Sequence, residues 1–261
     1  MAEYKKQHFN SLGEFYNYIS ITKENSVFEG KTLTSLDTSE WSKGFTLTNS
    51  FETAVELMRN GWSEMAKDIE GKLQAKIKNI SNKSTQRSVY DVVGGNCSVP
   101  RYLQGVPTNM INKKRVVQKQ KVVTLNKFIN YSASASTEQI VDESVKALII
   151  VREIEAAGIR VNLNIVLEAQ SGNEIASLSI RIKNASERLN VSKVAFPLVH
   201  PSMLRRLSFR WMEVSSVITE KGFIGGYGSP LNERKSKEYM NKNEIMLPSF
   251  IRSVEEVVAS I

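Results

Sequence analysis

The sequence predicts an α/β protein in which a mainly parallel sheet is flanked by helices, with an N-terminal helical and irregular segment. Three observations carry this prediction. Residues 122–129 form a β-rich run, residues 137–154 place apolar side chains at helical spacing, and residues 160–167 alternate between apolar and polar side chains. A helix of about twenty residues between two strands is the crossover that joins parallel neighbours, so these strands are expected to be adjacent and parallel.

The N-terminal segment contains two further helical patterns. Residues 11–21 and 50–73 each carry a stripe of apolar residues at helical spacing. Gly61 interrupts the second stripe at a cost of about 1 kcal/mol relative to Ala, which predicts that another backbone comes close there. Trp41 and Trp62 are expected to anchor the core, because large aromatic rings dominate core packing.

The middle of the chain shows no regular periodicity. Residues 74–88 are polar and predict a linker or mobile loop. Residues 89–107 combine short apolar runs with several Gly and Pro residues, which predicts an ordered irregular loop with a buried, inert Cys97. We place a domain boundary between residues 1–115 and residues 116–261.

The second half has well-marked element ends. Ser136 and Gln139 form a capping box at the start of the long helix, and Gly158 is its C-terminal stop. The later patterns predict a strand at 178–182, a short strand or buried segment at 194–199, a helix at 202–217, an edge strand at 244–250 and a helix at 253–261.

Charge is concentrated in one zone. The 261 residues carry a net charge of +8, yet the zone from residue 72 to 127 has twelve basic residues against one acidic residue, Asp91, and so carries +11 by itself. Such a zone favours three alternatives: a solvated surface, nucleic-acid binding, or contact with an acidic protein. The candidate nucleic-acid-binding residues are Lys113, Lys114, Arg115, Lys119 and Lys121.

Several function classes find no support in the sequence. No apolar run approaches a membrane span, and residues 1–10 lack the hydrophobic region of a signal peptide, so we expect no membrane partner and a cytoplasmic or virion-associated location. The single Cys97 fits a reducing compartment. Common nucleotide-binding and hydrolase motifs are absent. His8 lies near an expected frayed terminus and His200 precedes a proline, so both are expected to be structural and an enzyme is not favoured.

The Ser-rich loop before the long helix resembles the opening of a von Willebrand factor A domain, as does the later stretch that contains His200-Pro201 and Arg205-Arg206-Leu207. The resemblance implies a Rossmann-like sheet. In that family the loop reads Asp-x-Ser-x-Ser and ligates a divalent cation. The matching residues are Asn130, Ser132 and Ser134. Because Asn130 is neutral, the main electrostatic attraction for Mg²⁺ is lost, and the hydroxyls are expected to serve the turn and the helix cap. Bound Mg²⁺ or phosphate are the alternatives, and no cofactor is otherwise expected.

Residues 51–62 and 99–107, together with the A-domain-like half, are similar to an uncharacterised family carried by phages and prophages. The resemblance implies a phage or mobile-element context and supplies no activity. We therefore expect a non-enzymatic binding or assembly protein that engages a phage or host protein, or a second copy of itself, through its strand-end loops. The candidate partner-binding residues are Gly225, Gly226, Tyr227, Gly228, Arg205 and Arg206. A nucleic-acid-binding protein that uses residues 72–127 is the alternative, and a metal-dependent enzyme is a third interpretation.

Overall fold

The structure is a computed structural model that describes residues 3–76, 86–115, 121–131, 135–219, 223 and 226–259. Strands in this part of the chain form a central sheet and a separate small sheet. The strands are β1 (Glu3–Phe9), β2 (Gln86–Asp91), β3 (Asn96–Cys97), β4 (Met110–Arg115), β5 (Val122–Phe128), β6 (Arg160–Ser171), β7 (Glu174–Lys183), β8 (Ser229–Pro230) and β9 (Glu244–Leu247). The helices are α1 (Leu12–Ile19), α2 (Glu40–Thr46), α3 (Phe51–Asn60), α4 (Ser63–Lys76), α5 (Val99–Leu103), α6 (Thr137–Ala156), α7 (Val191–Val199), α8 (Phe209–Val214), α9 (Glu233–Glu238) and α10 (Val254–Ala259).

The central sheet confirms the predicted α/β class. Its strand order is β1-β7-β6-β5-β9, and β8 pairs with β6 beyond the end of β5. The pairs β1/β7, β5/β6 and β5/β9 are parallel, whereas β7 and β8 run antiparallel to β6. Helix α6 connects β5 to its parallel neighbour β6, as the strand–helix–strand pattern predicts. Strand β9 lies at the sheet edge, where Pro248 follows it.

The first strand was not predicted. Residues 3–9 pair in parallel with β7, from Glu3 opposite Glu174 to Phe9 opposite Ile180. The expectation of a frayed terminus around His8 is therefore wrong. The Nδ1 atom of His8 lies 3.0 Å from the hydroxyl of Ser179 on β7. The N-terminal segment thus supplies one edge of the central sheet.

The two faces of the central sheet differ in character. One face is apolar and packs against helices, with α6 on β6 and both α1 and α7 on β7. The other face carries a hydrogen-bonded polar network. The Asn164 amide donates to Asn126 (2.9 Å), the Asn126 amide donates to Glu244 (3.0 Å), and the Tyr4 hydroxyl donates to Glu168 (2.7 Å). The alternation that predicts β6 therefore also separates these two faces.

Turn and cap predictions for the helices are confirmed. Ser136 and Gln139 form both hydrogen bonds of the capping box at the start of α6. Gly61 separates α3 from α4 with a φ of 80°. A Cβ atom at Gly61 would lie 2.8 Å from the carbonyl oxygen of Ser192, so the predicted close approach of another backbone is present.

Four other predictions need correction. Residues 194–199, predicted as a short strand or buried segment, are buried but belong to helix α7, which contains Pro197. Trp41 is 67% exposed and stacks on Phe45 within α2, so it does not anchor the core. Cys97 is exposed in β3 rather than buried. The predicted helix at 202–217 ends at Val214 and starts with a π-helical segment at 203–208.

Residues from both predicted domains contribute to one hydrophobic core. Phe15 and Ile69 from the N-terminal part are fully buried in the same cluster as Leu163 and Trp211. No helix among the described residues combines the length and the apolar character that crossing a bilayer requires.

Candidate binding cavity at the strand ends

A cavity of about 300 Å³ lies at the C-terminal end of β6. Its walls come from β6, from β8 and the residues just before it, and from the helical stretch that leads into α8. Four predicted site residues meet in this cavity: Asn130, Arg205, Tyr227 and Gly228. The other described lining residues are Phe45, Tyr131, Leu167, Glu168, Ala169, Leu204, Phe209, Met212, Ser229 and Pro230. The lining is thus mainly aromatic and aliphatic, with one guanidinium.

Asn130 is held by the backbone of β6. Its side-chain Nδ2 donates to the carbonyl oxygen of Glu168 (3.1 Å), and its Oδ1 accepts from the N–H of the same residue (3.0 Å). The amide thereby continues the β5–β6 ladder after the bond from Ile129 N–H to the Val166 carbonyl. A group with a donor and an acceptor side by side is required for this pairing.

Arg205 supplies a positive charge in the cavity wall. Its Nη1 donates to the carbonyl oxygen of Phe45 (2.7 Å), and its guanidinium lies 4.2 Å from the centre of the Phe45 ring. The side chain is largely buried, and this burial lowers the pKa of Arg205 from its ordinary value. The guanidinium nevertheless stays protonated in proteins, so the wall keeps a cation that an acidic group would favour.

Tyr227 lines the cavity, and its hydroxyl is already bonded. The hydroxyl donates to Glu213 Oε1 (2.6 Å) and accepts from the N–H of Thr34 (3.0 Å). The ring stacks on Phe209 with centroids 4.0 Å apart. Burial, with the Glu213 carboxylate as a further cause, raises the pKa of Tyr227. The residue therefore offers a fixed aromatic wall rather than a free hydroxyl.

Gly228 lets the loop before β8 pack against β6. Its φ is 71°, and a Cβ atom would lie 2.7 Å from the carbonyl oxygen of Gln170. Gly226 is half-buried in the same loop, and Gly225 lies outside the described residues. Gly228 thus brings the backbone close to the strand end.

Arg206 was predicted to bind a partner, and this prediction is wrong because the side chain is fully buried. Its Nε donates to the Thr48 hydroxyl (2.9 Å), Nη2 to the Thr48 carbonyl (3.0 Å), and Nη1 to the carbonyls of Ser35 (2.8 Å) and Asp37 (3.0 Å). Arg206 therefore links residues 35–48, which include α2, to the π-helical segment at 203–208.

The fully buried Glu213 also binds the N-terminal segment, through Ser35. Its carboxylate accepts hydrogen bonds from the backbone and hydroxyl of Ser35, from Arg210 Nη1 (3.3 Å) and from Tyr227. A buried carboxylate needs such partners to offset its loss of hydration. Because Glu213 also holds Tyr227, it sets the position of one cavity wall.

The predicted cation-binding loop is only partly described. Ser132 and Ser134 lie outside the described residues. Both polar atoms of Asn130 are engaged by Glu168. Among the described residues, no group of three or more His, Cys, Asp or Glu side chains could hold a metal ion. Binding of Mg²⁺ at this loop stays a prediction.

None of the described residues that were predicted to bind nucleic acid lines this cavity. Lys113 is exposed on β4, and Lys121 is exposed directly before β5. Lys114 and Arg115 also belong to β4, opposite Arg87 and Gln86, but their side chains lie outside the described part. Lys119 falls in a stretch outside the described residues.

One family model covers nearly the whole chain. The model of a domain of unknown function, DUF7192, matches residues 3–258. The chain belongs to the DUF7192 family. No curated protein matches it, and no solved structure matches it. For this DUF7192 protein, function has to be argued from the residues that form the strand-end cavity.

Proposed function

We propose that this DUF7192 protein is a non-enzymatic binding protein that takes an apolar or aromatic side chain of a partner protein into the strand-end cavity. The single observation that supports this most is the convergence of Asn130, Arg205, Tyr227 and Gly228 on one cavity of about 300 Å³. In open α/β sheets, ligands bind outside the carboxyl ends of the strands, which is where this cavity lies.

The lining favours a side chain over a phosphate or a sugar. Apolar pockets with few polar groups bind apolar ligands, and the polar groups fix their orientation. Tyr227 uses its hydroxyl for Glu213 and Thr34, so the ring can offer only its apolar surface. Arg205 adds a cation at the wall, which favours a partner with an acidic group beside the inserted side chain.

A matched pair of variants tests this function. Ser229 is exposed at the cavity, whereas Ser186 is exposed on the loop between β7 and α7 and does not line it. We would titrate N-acetyl-phenylalaninamide and N-acetyl-leucinamide into isotope-labelled protein and record NMR spectra. Shifts are expected at the side chains of Arg205 and Tyr227. The Ser229→Trp variant should lose them because the larger ring blocks the cavity, and Ser186→Trp should keep them.

Two results would contradict the proposal: shifts that do not include the cavity residues, or shifts that persist in Ser229→Trp. The phage or mobile-element context implied by the resemblance stays a prediction, and so does an assembly role.

Nucleic-acid binding through residues 72–127 remains the alternative function. The supporting observation is the exposure of Lys113 and Lys121 in a zone with twelve basic residues and a single acidic one. Phosphate contacts weaken steeply with salt, so binding of DNA and RNA at low and near-physiological salt tests this alternative. If it holds, binding persists at physiological salt in the wild type and is lost when Lys113, Lys114, Arg115, Lys119 and Lys121 are neutralised together.

A further inference from the structure

The segment from residue 86 to 115, which we call the small-sheet module, has no core of its own. It consists of strands β2, β4 and β3 with helix α5. Within the described residues, no side chain of the module is buried, and the hydrophobic core takes no member between Leu73 and Val123. A three-stranded sheet normally needs a packed hydrophobic face to be stable.

The large apolar side chains that are exposed in the described part of the chain are concentrated in this module. Twelve large apolar side chains are exposed in the described part, and six of them lie between residues 90 and 103. These six are Tyr90, Val92, Val93, Val99, Tyr102 and Leu103. A concentration of this kind marks an interaction surface more often than isolated exposed residues do.

Helix α5 turns its apolar side outward. Val99, Tyr102 and Leu103 have the i, i+3, i+4 spacing of a core-facing stripe, yet they are 61%, 65% and 78% exposed. Arg101 points the other way, with its guanidinium 4.2 Å from the centre of the Tyr90 ring on β2. The helix therefore rests on the small sheet through a cation–π contact and leaves its apolar stripe uncovered.

The loop that leads to α5 is fixed in shape. The N–H of Gly95 donates to the Ile111 carbonyl (3.1 Å), and the N–H of Ser98 donates to the Asn109 carbonyl (2.7 Å). A Cβ atom at Gly94 would lie 2.4 Å from the carbonyl oxygen of Ile111, so this position accepts only glycine. A surface held in this way loses little conformational entropy on binding.

Charge decides between the possible occupants. The module contains Arg87, Arg101, Lys113, Lys114 and Arg115 against Asp91 alone, a net charge of +4. Two copies of the module would repel each other. Nucleic acid would neutralise the charge but leave the aliphatic side chains of Val92, Val93, Val99 and Leu103 uncovered. A protein surface with an apolar centre and an acidic rim complements both features.

We infer that the small-sheet module is a docking surface for an acidic partner protein, whose apolar side chains cover Val99, Tyr102 and Leu103. This surface is separate from the strand-end cavity, so the inference does not depend on the proposed function. The expected contact surface on the partner combines Asp or Glu residues with aliphatic side chains.

A displayed library of random peptides, selected on the full-length chain, tests this inference. The apolar variant replaces Val99, Tyr102 and Leu103 with Ser. The matched control replaces Ile21 and Leu36 with Ser, because each is a large apolar residue that is 43% exposed outside the module. All of these side chains are exposed, so both variants should fold, which circular dichroism and the thermal midpoint verify.

The selected peptides are expected to contain several acidic and aliphatic residues. Their affinity should fall by about tenfold or more in the apolar variant and stay unchanged in the control. The Lys113→Glu variant should also bind the selected peptides more weakly, and the loss of affinity should be larger at low salt. Three results would overturn the inference. The first is that no peptides are enriched on the wild type relative to the apolar variant, and the second is that the selected peptides lack acidic residues. The third is an oligonucleotide that binds the wild type more tightly than the peptides do and binds the apolar variant equally well.

Discussion

The side chain of Asn130 pairs with the backbone of Glu168 as if it were one more residue of the strand. Its Nδ2 donates to the Glu168 carbonyl at 3.1 Å, while its Oδ1 accepts from the Glu168 N–H at 3.0 Å. An amide provides this donor and acceptor together, whereas a carboxylate only accepts. The pairing explains why an asparagine suits this position better than the aspartate of the Asp-x-Ser-x-Ser pattern.

We therefore expect Asn130→Asp to destabilise the protein. The carboxylate would lose the donated bond and face the Glu168 carbonyl, which should lower the free energy of unfolding by about 1–3 kcal/mol. Urea denaturation at neutral pH measures this change. Asn184→Asp is the control, since Asn184 is exposed and its Oδ1 accepts from the N–H of Ser186, a role that a carboxylate can keep. Equal stability of the two variants would contradict the pairing.

Substitution by alanine should change the free energy of unfolding in opposite directions at two glycines. Gly61 has a φ of 80°, and its added Cβ would lie 2.8 Å from the Ser192 carbonyl. Gly71, in α4, has no heavy atom within 4 Å of the added Cβ. Gly61→Ala should thus lower the free energy of unfolding by roughly 1–3 kcal/mol.

By contrast, Gly71→Ala should raise the free energy of unfolding by up to about 1 kcal/mol, because Ala is the better helix former. Thermal and urea unfolding of both variants, side by side, gives the two signs. A gain of stability in Gly61→Ala would show that the distance between Gly61 and the Ser192 carbonyl is larger than in the structure.

Local signals account for the parts of the fold that were predicted. The capping box at Ser136 and the alternation along residues 160–167 involve hydrogen bonds and side-chain periods that a short stretch determines by itself. The same alternation also indicates what lies on each face of the sheet. Asn162, Asn164 and Glu168 are polar within a strand that has parallel and antiparallel neighbours, which indicates that one sheet face is not packed against apolar helices.

Long-range pairing accounts for the parts that were missed. Strand β1 is mostly polar because Tyr4, Lys6 and His8 occupy the polar face, and only its pairing with β7 identifies it as a strand. Helix α7 is apolar and buried without interruption from Val194 to Val199, so this stretch of its sequence has no helical stripe.

The cavity was predicted only in part, for the same reason. Asn130, Arg205, Tyr227 and Gly228 were proposed from the loop and helix in which each lies. Phe45 and Phe209 were missed because nothing in their local sequence marks them as neighbours, although the structure brings both to one wall. The burial of Arg206 depends on bonds to residues about 160 positions away, which no local pattern reveals.

Removal of the Glu213 carboxylate should be among the most damaging single changes. In Glu213→Ala, the buried Arg210 would lose its nearest acidic partner, and Ser35 and Tyr227 would lose their acceptor. Breaking a buried charge pair typically lowers the free energy of unfolding by about 3–5 kcal/mol. Urea denaturation, with the exposed Glu238→Ala as the control, tests this. A loss as small as that of the control would contradict the role of Glu213 in fastening the N-terminal segment.

His200 should make stability depend on pH in the mildly acidic range. Its ring stacks on Phe196 with centroids 5.1 Å apart and meets the edge of Trp62 at 4.8 Å, and Nδ1 accepts from the N–H of Ser202. Burial lowers the pKa of His200 to about 4, against 6.5 in the unfolded chain. The unfolded state therefore binds more protons between these two values, so the contribution of His200 is fully present above pH 6.5 and is lost as the pH falls towards 4.

The pKa difference corresponds to roughly 3 kcal/mol at about 1.4 kcal/mol per pH unit. The measurement is urea unfolding of the wild type and His200→Asn at a series of pH values from 7.5 to about 4, a range set by the two pKa values. Asn keeps an acceptor for Ser202 but does not titrate, so the stability difference between the two proteins should shrink as the pH falls. His8→Gln gives a comparison, because burial also lowers the pKa of His8, which is only half-buried on β1, and its pH-dependent effect should be smaller. A difference between wild type and His200→Asn that is constant over this range would show that His200 does not titrate as a buried neutral ring.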